Sequence, residues 1–336
     1  MAGAIEVDAF EDRADLVVGF AHSRTDIDGS GSLFSRQNDN ALSAELNVVV
    51  IKPDPGDTGQ LSWTNTYQRI GSNFFSFANP FLTNDLEEVS TGLEYAGRSL
   101  TLRGEVARQE NNVTGNAALP TDRAVLTRIN GAYFPFATSE APDWLGQLTV
   151  SFGAESGWTD RIRNTDTSVD VDARSTQIYL GLSAATQSLA WGVTGAVSDF
   201  EDNGNASADQ RTWSSLGFVN WVPADWFNAD ASVQWQHGRT QTGRSDDITV
   251  DLSATAWVIE DTLSTSAGYA GAFSSERDGY EGWENYLELN WVPRKGHSLA
   301  VRAGAAGGDS IRELSRDDRP ELFGRVVYRV STDFSR

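Results

Sequence analysis

Asp26, Asp28 and Ser30 alternate ahead of Gly31, so a loop here offers an oxygen at every second residue, the spacing with which a chain wraps a calcium ion. The twelfth position of such a loop is Gln37 where a chelating carboxylate belongs, and no helical pattern flanks it. A solvated acidic loop is the stronger reading, and a weak calcium site at Asp26, Asp28 and Ser30 the other. A larger set of charges falls in phase with strand alternation: Glu45, Glu94, Arg103, Glu105, Arg128, Glu155, Asp230, Asp251, Glu284, Glu288, Arg302, Arg325 and Arg329. Interspersed with Ser, Thr, Asn and Gln, they suit a wall that holds water and sorts ions. Bond-breaking chemistry finds no support. There is no Gly-x-Ser-x-Gly elbow, no phosphate loop and no His-Glu-x-x-His, and His22, His237 and His297 stand in no motif. With no cysteine, thiolate nucleophiles, zinc–thiolate sites and disulfides are excluded together. The chain reads as a non-enzyme without catalytic residues or cofactors.

Composition narrows the elements that must position these charges. The 336 residues carry 47 acidic and 26 basic side chains, a net charge of −21 that repels nucleic acid. Hydrophobic residues reach only 39%, yet there are 11 Trp, 16 Phe, 8 Tyr and 31 Gly. That combination fits strands with one apolar face each. No apolar run approaches the ~18–20 residues of a membrane helix. The acidic first residues lack the basic and apolar regions of an export leader, which leaves a soluble protein or an excised portion of an exported one.

Periodicity decides between them. Leu42, Ala44, Leu46, Val48 and Val50 alternate with polar residues, as do Leu100, Leu102, Gly104 and Val106. Leu148, Val150, Phe152 and Ala154 repeat the pattern, followed by Phe227 to Trp235 and Ile248 to Ala254. The chain is all-β, with about sixteen strands between residues 15 and 332, each near the ~9–11 residues of a tilted membrane strand. Short connections (96–99, 184–187, 223–226, 260–262, 293–297) alternate with longer polar ones (25–41, 110–122, 159–174, 201–210, 275–281, 307–320). Such a meander has one tight end and one elaborated end, with both termini expected on the tight side. Trp221-Val222-Pro223 and Trp291-Val292-Pro293, with Trp257-Val258 and Tyr133-Phe134-Pro135-Phe136, mark strand ends where aromatic rings would girdle a membrane interface.

On these features the whole chain resembles a Gram-negative outer-membrane β-barrel of porin size. It is also similar in size and strand number to the C-terminal barrels of exopolysaccharide exporters. Its last strand, with Leu322, Gly324, Val326, Tyr328 and Val330 on one face and Phe334 beyond, resembles the family's C-terminal assembly signal, although the chain ends on Ser335-Arg336. The resemblance implies a single antiparallel transmembrane β-barrel over residues 15–334, with a periplasmic lead-in at 1–14, in the outer membrane of a Gram-negative bacterium.

Apolar faces would then meet lipid, and the thirteen charges would line a watery lumen, eight acidic to five basic. An excess of that sign biases a pore weakly towards cations. Pairing of opposite charges across neighbouring strands is the equal alternative. Phe74, Phe75, Phe77 and Phe81 crowd the connection 71–85, which should fold inward as a constriction loop or continue the flanking strands against lipid. Three functions remain: a diffusion pore for hydrophilic solutes, an export channel for a polysaccharide served by periplasmic partner domains, and a non-conducting membrane anchor for a surface or periplasmic domain. Outer-membrane lipid is the expected partner of all three; nucleic acid is not.

Overall fold

The computed structural model describes residues 2–10, 13–26, 36–52, 59–74, 85–165, 170–204, 207–241, 243–275, 282–294, 296–308 and 320–330. They form seventeen antiparallel strands that belong to one sheet, and no helix. The first seven are β1 (Ala2–Ala9), β2 (Ala14–Asp26), β3 (Arg36–Ile51), β4 (Gln60–Ile70), β5 (Leu86–Ala96), β6 (Leu100–Asn111) and β7 (Thr121–Tyr133). Then come β8 (Gln147–Arg163), β9 (Asp172–Ala185) and β10 (Leu189–Asp202). The last seven are β11 (Gln210–Ala224), β12 (Phe227–Thr240), β13 (Arg244–Ile259), β14 (Leu263–Ser274), β15 (Gly282–Arg294), β16 (His297–Gly308) and β17 (Glu321–Val330). The chain divides into two compact units, one of residues 1–134, 151–178 and 198–209, the other of 135–150, 179–197 and 210–336.

In the first unit, β1 to β7 pair each with the next, and the registers set one face against the other. Leu46, Asn65 and Thr91 lie in one cross-strand row; Glu45, Thr66, Ser90, Ala107 and Leu126 lie in the next. Directly opposed residues share a face, so each row propagates a face across the ladder. One face carries Leu16, Phe20, Leu42, Trp63, Leu93, Val106 and Ile129, with Arg69, Glu87, Arg108, Glu110 and Arg123 in phase with them at the elaborated end; the other carries Glu45, Glu94, Arg103, Glu105 and Arg128. In the second unit β11 to β17 do the same, with Val219, Val233, Leu252, Leu287, Val301 and Val326 on the apolar face.

Neither face is covered. Leu93 on the apolar face is 52% exposed and Leu287 61%, whereas only Ile70, Phe74, Leu86 and Ala184 among the described apolar side chains are buried. A water-soluble protein of this length builds a core from such residues. In each unit here they stay exposed.

Three departures from the sequence expectation have local causes. Residues 2–9, set aside as part of a lead-in, form β1 and pair with β2 from Ala2↔Ala21 to Ala9↔Ala14. Small residues at Ala2, Gly3 and Ala4 weaken the alternation that Ile5, Glu6, Val7 and Asp8 display. Ala2 therefore stands opposite the middle of β2 and not at the tight end, where Val330 does lie, opposite His297. Strands also run past the apolar band: β8 continues to Arg163 and β3 begins at Arg36, inside segments read as loops. Finally, the alternation of connections has exceptions, since 134–146 is long at the tight end and 241–243 short at the elaborated end.

Candidate functional site

The thirteen charged positions fall on the polar face of their own unit. Glu45, Glu94, Arg103, Glu105 and Arg128 share it through the β3 to β7 registers. Glu155 joins them because Gly157, two residues on, faces Ser175 and the Leu126 side chain, and Leu126 is in phase with Arg128. In the second unit Asp230, Asp251, Glu284, Glu288, Arg302, Arg325 and Arg329 share one face through β12 to β17. Hydroxyl pairs lie between them, Thr66 with Ser90 at 2.7 Å and Thr255 with Ser266 at 2.9 Å.

In the first unit Arg103, Arg128 and Arg161 each reach a carboxylate. Arg128 and Arg103 both donate to Glu105 Oε2, at 3.0 and 3.3 Å. Arg161 grips Asp122 with two parallel bonds, Nε to Oδ1 at 2.6 Å and Nη2 to Oδ2 at 3.0 Å, with an Arg161 side chain only 11% exposed. This second pair was not anticipated. Its signal was that Arg161 is in phase with Gly157 and Asp122 with Leu126, in segments whose mostly polar composition makes them read as loop. A cavity of ≈ 390 Å³ opens among residues that include Glu105, Arg128, Gly157 and Ser175. Glu45 accepts a bond from Asn47 Nδ2 at 2.9 Å.

In the second unit one arginine is seated and two are not. Arg302 bonds Glu284 and lies 3.6 Å from the centre of the Tyr286 ring. The seat depends on glycine. A Cβ at Gly268, directly opposite Tyr286, would meet that ring at 2.4 Å, and one at Gly304 would meet the Asn285 carbonyl at 2.1 Å and the Phe323 ring at 2.7 Å. The rings lie flat on the strand backbone because no side chain stands there. Arg325 and Arg329 are exposed and form no ion pair among the described residues. Asp230 accepts a 2.5 Å bond from Asn220 Nδ2. Tyr286, Phe323 and Phe218 thus sit on the polar face, in phase with Glu284, Arg325 and Asn220, against the expectation that large apolar rings turn the other way.

At the tight end, Trp221 and Trp291 lie on the apolar face, each followed by a register shift before Ala224 and Arg294. The bulge absorbs the proline, whose missing N–H would interrupt a regular ladder. Tyr133 is on the apolar face too, opposite Leu100. Trp257 departs from the girdle: it stands opposite Ser264, on the polar face, and the shift before Ile259 restores the phase.

Of the aromatic connection, Phe74 is described and buried, its N–H donating to the Gly71 carbonyl at 3.3 Å. Ile70 and Leu86, at the two ends of the same connection, are the other buried apolar residues of this unit, both on the polar face. Phe75, Phe77 and Phe81 lie outside the described residues, as do Asp28 and Ser30 of the calcium-like loop; the Asp26 backbone closes β2 opposite Arg36. Among the described residues, Glu6, Asp8 and Asp15 bring carboxylate oxygens within 4.8 Å of one another on the polar face, Glu6 and Asp8 exposed and Asp15 half-buried.

No protein-family model and no curated protein matches the sequence. Solved structures similar to the chain are outer-membrane proteins. A bacterial polysaccharide outer membrane secretin is 13% identical over 95% of this chain and 98% of its own, with a TM-score of 0.39. The outer membrane channel DcaP of Acinetobacter baumannii is 12% identical over 95% and 98%, TM-score 0.38. An anion-selective porin from Comamonas acidovorans is 13% identical over 92% and 90%, TM-score 0.35. At these values none of them transfers a residue role or a substrate.

Proposed function

We propose that the chain is an outer-membrane β-barrel channel that passes hydrophilic solutes by passive diffusion. One observation carries the reading: strand after strand presents an uncovered apolar face on one side and a charged, hydroxyl-rich face on the other. Exposed in water, the apolar band would drive aggregation; in lipid it is satisfied. A charged face in a dry sandwich would cost several kcal/mol for each unpaired group, whereas a watery lumen tolerates it. On this reading the strands, β1 included, belong to a barrel in the outer membrane of a Gram-negative bacterium, and the thirteen charges line its lumen.

Selectivity follows from the wall. Acidic positions outnumber basic ones eight to five, and the chain carries −21. The channel is therefore weakly cation-selective at low salt, the preference fading as the Debye length falls from ~10 Å at 0.1 M to ~3 Å at 1 M. The test is reconstitution: protein refolded in detergent should be β-rich, migrate faster on gels when unboiled, and conduct in planar bilayers. Folded protein that never conducts would favour a membrane anchor over a channel. Conductance blocked by long anionic or neutral glycans from the tight-end side would favour polysaccharide export over small-solute diffusion.

A further inference from the structure

We propose that Arg302, Arg325 and Arg329 form a binding site for the oxyanion group of a solute, a carboxylate or a phosphate, within the channel. The proposal rests on the channel reading for its setting and on the second unit's own geometry for its chemistry. Arg302 and Arg325 stand directly opposite each other on β16 and β17, and Arg329 follows on the same face, opposite Ser298. Like charges opposed across a ladder repel. In a chain with 47 acidic residues, no carboxylate pairs with Arg325 or Arg329 among the described residues.

The arrangement is built and not loose. Arg302 is held from one side by the Tyr286 ring and from another by Glu284, and its Nε is buried with no acceptor. Its neighbours Arg325 and Arg329 project beside it into a cavity of ≈ 270 Å³ whose wall adds Ser298, Asn290 and one carboxylate, Glu288. With Arg302 already paired to Glu284, the two remaining guanidinium groups against one carboxylate, Glu288, leave the cavity positive. Planar guanidinium forks match the two oxygens of a carboxylate or the three of a phosphate. Hydroxyl and amide groups at the rim suit the remainder of a polar solute.

The experiment uses the full chain, folded in detergent, and three probes of one shape: D-glucuronate, glucose 6-phosphate and D-glucose. Equilibrium dialysis should show saturable binding of one or both anions and none of glucose; the stronger anion identifies the source of the oxyanion. Arg325→Gln/Arg329→Gln should weaken that binding at least ~10-fold. The double lysine variant, which keeps charge and loses the forks, should fall between. Arg98→Gln, in a tight turn of the other unit, should bind as wild type does. Equal binding by wild type and both double variants would overturn the proposal, and so would folded protein that binds neither anion. Binding without bilayer conductance would keep the site and reject the channel; conductance without binding would reject the site alone.

Discussion

The two units carry the same kinds of charge on their polar faces and dispose of them differently. In the first, Arg103, Arg128 and Arg161 each donate to a carboxylate, so the wall is stitched by ion pairs and its spare charge is acidic: Glu45, Glu94 and Glu155. In the second, Glu284 takes Arg302, and among the described residues no carboxylate takes Arg325 or Arg329. Counting charges over the chain gives one sign, and counting them locally gives two. A solute moving past these walls meets local fields, which the total of −21 does not describe.

The comparison can be broken most forcefully through the glycines that seat the second cluster. Gly304→Leu places a side chain against the Asn285 carbonyl and the Phe323 ring, and overpacking of this kind costs ~1–3 kcal/mol or more. Denaturant unfolding of the refolded protein should show the loss. Gly104→Ala in β6 should show almost none, because nothing stands within 4 Å of its missing Cβ. Next in size is Asp122→Asn, which removes the acceptor of a bidentate, mostly buried pair; a loss of about 1.5–3 kcal/mol is expected in the same assay. Smaller in stability, at ~1 kcal/mol or less, is Glu105→Gln, because its partners Arg103 and Arg128 are well exposed. Its larger effect is on sign: two arginines lose their counter-ion, and the reversal potential under a KCl gradient should move towards chloride. If that shift is absent while Arg325→Gln moves the potential towards potassium, the second unit alone sets selectivity.

Much of this was legible in residue order, and what was not has identifiable causes. The face of nearly every strand follows from alternation, as at Leu42 to Val50, because a buried or lipid-facing stripe must repeat every two residues. Bulges defeat that rule. Trp257 reads as girdle and lies on the polar face because the register shifts one step later. Strand ends defeat it too, since Arg161 and Asp122 extend their strands beyond the apolar band, where polar residues on both sides of the lone Ile162 obscure the phase. The seating of Arg302 could not be read at all from one strand. It needs Gly268, Tyr286 and Arg302 from three strands, and their opposition is fixed only by register.

The central claim is that successive residues of one strand meet lipid and water in turn. Because the chain has no cysteine, single substitutions along β5 can each carry one spin label. Val89→Cys, Thr91→Cys and Leu93→Cys are on the apolar face, and Ser90→Cys, Gly92→Cys and Glu94→Cys on the other. In reconstituted membranes, oxygen dissolved in lipid should relax the first three labels and a water-soluble nickel chelate the second three, alternating along the strand. Labels that all respond to the chelate, or all to oxygen, would contradict a membrane-spanning wall with a watery inner face.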